Sequence, residues 1–359
     1  MRVQTFRLNA GTDVGCVRTN NEDNFVVCPD LTKADWFVPS DAITPVNLGE
    51  YGCILAVADG MGGENAGEVA SAITIDTLQT AYTKNDLRKI INSEKSIENF
   101  MRGIVTDADV AIKKHVKEDS QTEGMGTTLI YIWILGSIAY CVWCGDSRAY
   151  IYNPDAGLRR FSKDHSFVQD LVDAGKLDAE LAFDHPNSNI ITRCLGDIKS
   201  KANPDFIKYN LVPGDWILLC SDGLCGLCRD DEILQVLREN DNNIESCRKE
   251  LIRHALLAGG HDNCTVALFE VVSMMEDGGD VVTKSNPAKT SRNPFFSTLN
   301  CDDVLPDGDK SEQNDERLSS NTAPIYERSL DNKKKSSIRW GIIFAVLALL
   351  AAILILFLK

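Results

Sequence analysis

The sequence Cys-Ile-Leu-Ala-Val-Ala-Asp-Gly-Met-Gly-Gly, residues 53–63, decides how the rest of the chain is interpreted. Its first six residues are apolar and predict a buried strand that stops at Asp59. Three glycines follow within four residues, which lets the backbone turn and come close to whatever the carboxylate holds. An Asp-Gly pair is also common in ordinary turns, so this motif alone does not separate a functional turn from a structural one.

Three further turns repeat this pattern of an apolar strand beside an acidic residue. They are at Asp146 after the predicted strand 138–144, at Asp222 after the predicted strand 216–220, and at Asp262 before the predicted strand 264–271. Each turn would place a carboxylate at the edge of a sheet. The repetition favours a functional interpretation of all four turns over that of ordinary turns.

A polar segment near the N-terminus, residues 11–24, places Arg18 four and five residues before Glu22 and Asp23. An arginine beside two carboxylates can bind an anion and a cation next to each other, although a solvated charged loop has the same composition. Together with the acidic turns, these side chains form an oxygen-only set that suits Mg²⁺ or Mn²⁺ better than zinc. Two such ions about 3.5–4 Å apart can activate a water and neutralise a phosphoryl group, and Arg18 can clamp the phosphate.

The composition restricts the partners and the compartment. A net charge of −15 argues against a nucleic-acid-binding protein, which needs a basic surface. The twelve cysteines are scattered, several of them in apolar runs, which indicates reduced core thiols and a cytosolic compartment. The pairs Cys141/Cys144 and Cys225/Cys228 suggest zinc, but residues i and i+3 of a strand face opposite ways, so we favour core cysteines.

Hydrophobic periodicity predicts an antiparallel domain that combines strands and helices. The predicted strands are 4–9, 25–28, 53–58, 129–135, 138–144, 149–152, 216–220 and 264–271. The predicted helices are 66–81, 96–116, 166–174, 178–182, 230–239 and 244–258. Residues 129–152 contain consecutive strands joined by short turns, which indicates a meander instead of a βαβ repeat. Residues 29–50 are interpreted as a loop insertion.

The composition changes near Met275. Residues 276–335 are polar and aperiodic, and they predict a disordered linker between a domain at 1–275 and a membrane anchor at 336–359. Residues 340–358 carry no charge and would span about 28 Å as a helix, close to a bilayer core of about 30 Å. Basic residues precede this segment, so the positive-inside rule predicts a tail anchor in the cell membrane with the domain in the cytoplasm.

In their order along the chain, the motifs resemble those of the metal-dependent serine/threonine protein phosphatases, the PPM or type 2C family, and their wording resembles the bacterial branch. The motifs are Thr12-Asp13-x-Gly15, Arg18-x-Asn20-Asn21-Glu22-Asp23, Ala58-Asp59-Gly60-Met61-Gly62-Gly63, Gly126-Thr127-Thr128, Gly145-Asp146-Ser147-Arg148, Ser221-Asp222-Gly223-Leu224 and Asp262-Asn263-Cys264-Thr265. Any one of them is weak, but the ordered set is highly specific. The resemblance implies an α+β fold, a four-layer αββα sandwich of two antiparallel sheets flanked by helices, with residues 163–206 as a flap beside the substrate.

The resemblance also implies a role for each polar residue of the site. Asp59 would bridge two metal ions, and the Gly60 carbonyl would bind one of them. Asp222 and Asp262 would bind the first ion, whereas Glu22 and Asp23 would support the second, directly or through water. Asp146 and Asp222 would bind a third ion. Arg18 would bind the substrate phosphate, so catalysis would depend on Arg18, Asp59 and Asp222. The expected reaction is hydrolysis of phosphoserine and phosphothreonine by a metal-activated water, which would reverse a membrane-associated Ser/Thr kinase acting on its protein substrates.

One position departs from the family pattern. Many eukaryotic members have a histidine after the Asp-Gly pair as the proposed proton donor, and this chain has Met61. The proton donor is therefore unassigned, with a metal-bound water as the candidate. Two alternatives stay open: an inactive relative that only docks partners at the membrane, and a phosphohydrolase for small phosphate esters or nucleotides. The complete acid set favours an active enzyme, and the open site expected from the family favours a protein substrate.

Overall fold

The structure of the protein is a computed structural model, and it describes residues 1–34, 36, 45–62, 66–276 and 281–283. These residues belong to the first of the two units into which the chain divides, Met1–Asp303. The strands are β1 Arg2–Asp13, β2 Asn24–Cys28, β3 Val46–Asn47, β4 Cys53–Ala58, β5 Gly60–Met61, β6 Gly126–Thr127, β7 Leu129–Leu135, β8 Ile138–Cys144, β9 Arg148–Asn153, β10 Gly157–Arg160, β11 Asp205–Asn210, β12 Trp216–Cys220, β13 Cys264–Met275 and β14 Val281–Thr283. The α-helices are α1 Gly67–Lys84, α2 Leu87–Ile90, α3 Glu94–Glu118, α4 Phe167–Asp173, α5 Ala179–Ala182, α6 Asp222–Cys225, α7 Asp230–Glu239 and α8 Ile244–Leu257.

Two antiparallel sheets form the centre of the fold. The larger sheet has the order β10-β9-β12-β13-β1-β3, and β14 pairs with β13 outside this path. The smaller sheet has the order β11-β8-β7-β4-β2. The consecutive strands β7, β8 and β9 are joined by short turns as predicted, but β9 passes into the other sheet, where it pairs with β12. The short ribbon of β5 and β6 stands apart from both sheets.

The central strands are apolar along their whole length because both of their faces are buried. In β4, Leu55 and Val57 face the core between the two sheets, whereas Ile54 and Ala56 face the core under the helices. In the core between the sheets, the rings of Phe6 and Phe269 stack with centroids 4.8 Å apart. A strand covered on both faces reads as a continuous hydrophobic run, which is why these strands were predictable from sequence.

Helices cover the outer face of each sheet. Helices α1 and α3 pack on the smaller sheet, and α3 is capped by the preceding Ser93, whose Oγ accepts a hydrogen bond from the N–H of Ser96. Helices α7 and α8 pack on the larger sheet around Trp216 and Leu251. The layers therefore run helix, sheet, sheet, helix, and the predicted α+β architecture of antiparallel sheets flanked by helices is confirmed.

The structure extends or adds several elements where the sequence signal was weak. Strand β1 continues through Asp13, because Thr12 and Asp13 pair with β13, so the predicted polar loop begins later than residue 11. Strands β10 and β11 lie at sheet edges and are only partly buried, which leaves little hydrophobic periodicity to detect. Residues 205 and 206 of the predicted flap belong to β11, and thus to the smaller sheet.

The described chain also continues past residue 275. Strand β14 pairs with Ser273–Met275, and Val282 is buried, so part of the stretch assigned to the linker packs on the larger sheet. The predicted anchor at 336–359 and most of the predicted linker lie outside the described residues. Within the described ranges, no helix has the length and apolar character needed to cross a membrane.

The cysteine pairs lie in hydrophobic cores. Cys141 faces the core between the sheets, whereas Cys144 faces the core beneath α3, as expected for positions i and i+3 of a strand. Cys225 and Cys228 are both buried in the core under α7 and α8. The two sulfurs of the first pair therefore point to different cores, which agrees with the interpretation of core cysteines.

Candidate active site

Asp59 follows β4 directly, and its main chain is held by Thr127 and Thr128, the two residues just before β7. The Asp59 carbonyl accepts hydrogen bonds from the N–H of Thr128 and from Oγ1 of Thr127, both at 2.8 Å. The Asp59 N–H donates to Oγ1 of Thr128 at 3.1 Å. Because the fold uses both backbone groups, the carboxylate is the part of Asp59 that is available to a ligand.

Gly60 lies where two backbones meet. Its N–H donates to the carbonyl of Glu22 at 3.2 Å, and Oγ of Ser71 donates to the same carbonyl at 2.7 Å. A Cβ at position 60 would stand 2.3 Å from the carbonyl oxygen of Gly67 and 2.5 Å from that of Glu22. The close approach therefore requires glycine, and it places Glu22 beside the end of β4.

Asp222 and Asp262 come from neighbouring strands of the larger sheet. Strand β12 ends just before Asp222, β13 begins just after Asp262, and the two strands pair antiparallel, so both acids lie at one edge. A Cβ on Gly223 would lie only 1.9 Å from the carbonyl oxygen of Asn263, so the turn after Asp222 packs directly on the turn after Asp262. The charge of Asp262 adds to burial in raising the pKa of Asp222.

Asn263 fastens the N-terminal loop to this edge. Its Oδ1 accepts a hydrogen bond from the N–H of Glu22 at 2.8 Å. Its Nδ2 donates to the carbonyls of Val14 and Asn20, each at 2.9 Å. One amide side chain thus uses both of its ends to fix the loop that carries Arg18 and the two predicted acidic ligands.

Asp23 lies behind the site and not at its surface. Its Oδ2 accepts hydrogen bonds from Oγ of Ser221 at 2.7 Å and from Oγ1 of Thr265 at 2.6 Å. Burial raises the pKa of Asp23 to about 7, although the two hydroxyl groups oppose the rise. The carboxylate therefore connects the N-terminal loop to β12 and β13, next to Asp222.

The turn that carries Asp146 is held by His165. The N–H of Gly145 donates to Nδ1 of His165 at 3.1 Å, and the N–H of His165 donates to the Gly145 carbonyl at 3.0 Å. Since Nδ1 accepts this hydrogen bond, Nε2 carries the proton of the neutral ring and donates to Oδ2 of Asp205 at 3.1 Å. The Oδ1 atom of Asp146 is buried and has no hydrogen-bond partner among the residues that the structure describes.

Beside this turn, Arg148 and Asp164 form a buried ion pair. Nη2 of Arg148 lies 2.7 Å from Oδ2 of Asp164, and Nε donates to the same carboxylate at 3.0 Å. Burial would raise the pKa of Asp164, but the charges of Arg148 and Arg160 outweigh it and lower the pKa. The pair fixes the start of the predicted flap, 163–206, to β9.

Arg18 is close to the acids but pairs with one of them. Its Nη2 donates to Oδ2 of Asp262 at 2.7 Å, and this bond raises the pKa of the Arg18 guanidinium. Burial raises the pKa of Glu22, while the charge of Arg18 opposes the rise. Arg18 therefore lies at the edge of the acid group, where it can reach an anion bound there.

The acidic side chains influence one another through space. Burial raises the pKa of Asp59 well above its usual value, and the nearby acidic residues raise it further: Asp222, Asp23, Asp146 and Asp262. Burial and the charge of Asp222 likewise raise the pKa of Asp146 well above its usual value. Carboxylates that act on each other in this way are close together, so the structure brings the four acidic turns to one place.

The chemistry of these donors fits hard divalent cations. The group offers oxygen ligands only, and the unpartnered Oδ1 of Asp146 is a buried acceptor that a cation would satisfy. Within the part of the chain that the structure describes, no three His, Cys, Asp or Glu side chains already surround one point closely enough to hold an ion. Oδ2 of Asp262 accepts a hydrogen bond from Arg18, so an ion bound at this oxygen would compete with Arg18 for it.

Sequence reasoning missed the residues that support the acids. Three of these residues lie inside recognised motifs: Asn263, Ser221 and Thr128. Their position in a motif could have predicted a supporting role, but the sequence analysis assigned them none. His165 was missed because it lies in a polar stretch without any periodic pattern. Its bond to the backbone of Gly145 depends on contact between segments twenty residues apart, which no local pattern encodes.

Comparison with known proteins gives a consistent result. The family model described as Protein phosphatase 2C matches residues 38–256. The serine/threonine phosphatase stp of Listeria innocua is 31% identical over 269 residues, which cover 75% of this chain and 97% of that protein. The protein phosphatase PhpP of Streptococcus pneumoniae is 34% identical over 276 residues, which cover 75% of this chain and 98% of that protein.

Solved structures agree with the sequence comparison. The serine/threonine phosphatase of S. agalactiae matches with a TM-score of 0.63 and 30% identity, over 74% of this chain and 99% of that one. The catalytic domain of the phosphatase PstP, solved with two manganese ions, matches with a TM-score of 0.58 and 33% identity, over 75% of this chain and 99% of that one. With its ordered motifs, its layered antiparallel sheets and its group of acids at one sheet edge, this chain belongs to the protein phosphatase 2C family and is a protein-serine/threonine phosphatase.

Proposed function

We propose that the enzyme hydrolyses phosphoserine and phosphothreonine in proteins with the help of two Mg²⁺ or Mn²⁺ ions, and that Asp146 takes part in binding a third. The observation that carries this proposal is the group of acidic turns whose burial and mutual charges raise the pKa values of Asp59, Asp146 and Asp222. Such an arrangement is unfavourable until cations balance it. The two manganese ions of the PstP catalytic domain support the same conclusion.

Each side chain would have a distinct task. Asp59 would bridge two ions beside the Gly60 carbonyl, Asp222 and Asp262 would hold the first, and the Glu22–Asp23 segment would support the second. Bound cations of this type supply an activated water and neutralise charge on the phosphoryl group. Arg18, once it exchanges Asp262 for the substrate, would hold the phosphate by two hydrogen bonds.

The Met61 thioether cannot serve as the acid for the leaving hydroxyl, since it carries no ionisable proton. No acid on the chain is therefore assigned to this step at position 61. A rate that depends only weakly on the basicity of the leaving group would show that another donor, such as a metal-bound water, supplies the proton.

The test of the proposed function compares substrates and metal ions on the purified enzyme. We expect Mn²⁺- or Mg²⁺-dependent release of phosphate from phosphoserine and phosphothreonine peptides, with lower kcat/KM for small phosphate esters. A preference for small esters would favour a phosphohydrolase, and no turnover of either with any divalent cation would favour a docking protein.

A matched pair of variants tests the metal assignment. Asp222→Asn should lower kcat at least about a hundredfold, since even the partners behind metal ligands cost 10–100-fold. It should also raise the melting temperature of the metal-free protein, because one of the crowded charges is gone. Asp231→Asn, on the exposed side of α7, is the control. Normal turnover in Asp222→Asn with Mn²⁺ would refute the assignment.

We also propose that the chain is anchored in the cell membrane by residues 336–359, with the phosphatase domain in the cytoplasm. The support is the uncharged stretch 340–358 and the basic residues before it. The enzyme would then act on proteins phosphorylated by a membrane-associated Ser/Thr kinase. Recovery of the full chain in the membrane fraction, and its release by detergent but not by salt, is the expected result.

A further inference from the structure

A groove of about 500 Å³ leads away from the acid group. It is lined by Asp146, Asp222 and Asp262 of the acid group, by further charged side chains that include Glu180 and Asp230, and by apolar side chains that include Val168 and Phe183. A volume of this size is typical of ligand-binding clefts, which bury apolar surface between a few polar groups. The groove is therefore continuous with the proposed site of hydrolysis and can hold residues that flank a phosphorylated side chain.

One wall of the groove, which contains α5, has few buried side chains. Helix α5 buries none of its residues, and Leu181 is 59% exposed. Segments with few buried contacts open at a small cost in free energy. The position of this wall therefore depends on the contacts that fasten it to the rest of the domain.

Arg229 makes that connection across the groove. Its Nη2 donates to Oδ2 of Asp184 at 2.6 Å, and its guanidinium carbon lies 4.2 Å from the centroid of the Phe183 ring. In the described part of the chain, this is the one hydrogen bond that joins residues 176–190 to residues outside 163–206. Arg229 immediately precedes α7, which packs on the larger sheet, so its contact fastens the weakly held wall to that layer of the domain.

Arg229 differs from the other arginines of the groove in how its charge is balanced. Arg148 and Arg160 face Asp164, a buried carboxylate that is fixed by several bonds. The side chains of Arg229 and Asp184 are 43% and 68% exposed. An exposed ion pair contributes about 0–1 kcal/mol, so another carboxylate can replace Asp184 at little cost. Arg229 is thus the groove cation whose partner is most easily exchanged.

We propose that Arg229 recognises an acidic side chain of the phosphorylated protein substrate, close in sequence to the phosphorylated residue, while the apolar wall of the groove contacts the residue between them. This inference rests on the proposed function and names the substrate class of the same site. The phosphoryl group would lie at the acid group with its cations. The substrate carboxylate would take the place of Asp184 on Nη2 of Arg229, and the ring of Phe183 would keep the guanidinium plane oriented.

The test is a charge reversal on both partners. Phosphothreonine peptides that carry Glu or Lys at successive positions on either side of the phosphorylated residue are assayed with the wild type, Arg229→Glu, Arg229→Gln and the control Arg253→Glu. Arg253 lies on α8, is exposed and pairs with Glu250. We expect the wild type and the control to favour Glu over Lys by roughly fivefold at one position at low salt, and less at high salt. Arg229→Glu should reverse this preference and Arg229→Gln should abolish it.

An unchanged Glu preference in Arg229→Glu and Arg229→Gln would overturn the inference, and so would the absence of any charge preference in the wild type. Hydrogen exchange supplies a second readout that does not depend on turnover, because loss of the Arg229 contact should speed exchange in residues 178–190. If the wild type hydrolyses neither the peptides nor a small aryl phosphate, the proposed function itself is wrong. If Arg229→Glu does not fold, Arg229→Gln decides the outcome.

Discussion

Arg18 and Asp262 form an ion pair whose side chains are 49% and 37% exposed. A pair that exposed contributes under about 1 kcal/mol to stability, so its partners are free to serve other ligands. At the scale of single residues, this separates Arg18 from Arg148, whose pair with Asp164 is buried, so that loss of either partner would leave an uncompensated charge in the interior.

For Arg18 we expect substitutions to affect substrate binding and not stability. Arg18→Lys keeps the charge but loses the two-pronged geometry, so KM for phosphopeptides should rise roughly tenfold while kcat changes less. The melting temperature should stay close to that of the wild type. Arg88→Lys, in an exposed pair with Asp86, is the matched control. An unchanged KM together with weaker Mn²⁺ binding would indicate a structural role.

Asp215 offers a test of buried charge outside the site. It lies in the turn before β12, where it accepts hydrogen bonds from Nδ2 of Asn153 at 2.7 Å and from the N–H of Val212 at 2.8 Å. Burial raises its pKa to about 7, and the two hydrogen bonds only partly oppose the rise. Between the unfolded value near 3.8 and this folded value, the native state binds more protons than the unfolded state.

It follows that Asp215 favours folding at low pH and loses this contribution as the pH rises through about 7. The free energy of unfolding of the wild type and of Asp215→Asn is measured in urea from pH 8 down to pH 4. As the pH falls, the wild type should become more stable relative to the variant, by up to roughly 4 kcal/mol. Because the two proteins differ only at position 215, the difference between their unfolding free energies reports the titration of Asp215 alone. Asp107→Asn, exposed on α3, should run parallel to the wild type, and parallel curves for Asp215→Asn would contradict the prediction.

At the scale of elements, the site is the place where four strand ends and one loop meet. The contact between Gly223 and the Asn263 carbonyl holds the β12 and β13 turns together, and a Cβ would stand 1.9 Å from that oxygen. Gly223→Ala should therefore lower the free energy of unfolding by about 1–3 kcal/mol and weaken Mn²⁺ binding. The measurement is denaturant unfolding together with metal titration.

At Gly103, the same substitution to alanine is expected to stabilise the protein. It lies inside α3, and a Cβ there would meet no atom within 4 Å. Gly103→Ala should raise the free energy of unfolding by about 0.5–1 kcal/mol and leave metal binding unchanged. Equal effects of the two substitutions would show that the contact at Gly223 does not hold the turns together.

The strands that the sequence predicted most clearly are those buried on both faces. Strands β4, β7 and β12 are covered by a second sheet and by helices, so their hydrophobic runs were unmistakable. Edge strands such as β11 are half exposed, and the single turn of α6 is too short for periodicity to be seen. The acids were found because each follows or precedes a buried strand, whereas their supporting contacts, such as His165 with Gly145, join distant segments.

At the scale of the whole molecule, the described residues form a layered domain whose last described strand is β14. Val282 is buried against the larger sheet, so a boundary at 275 would remove a packed residue. The sequence-predicted linker that follows, about 55 residues long, would span roughly 40 Å root-mean-square as a flexible chain. An anchored enzyme would then reach only protein substrates that lie close to the membrane surface.

Truncation after residue 283 should therefore give a soluble enzyme with the kcat/KM of the full chain on phosphopeptides, since the polar stretch beyond it has little apolar surface to pack. Truncation after residue 275 should also be active but less stable, by about 1–2 kcal/mol for the lost burial of Val282. Membrane fractionation and thermal unfolding of the three forms are the measurements. A full chain that stays soluble without detergent would contradict the proposed membrane anchor. An inactive 1–283 fragment would show that the domain depends on residues beyond β14.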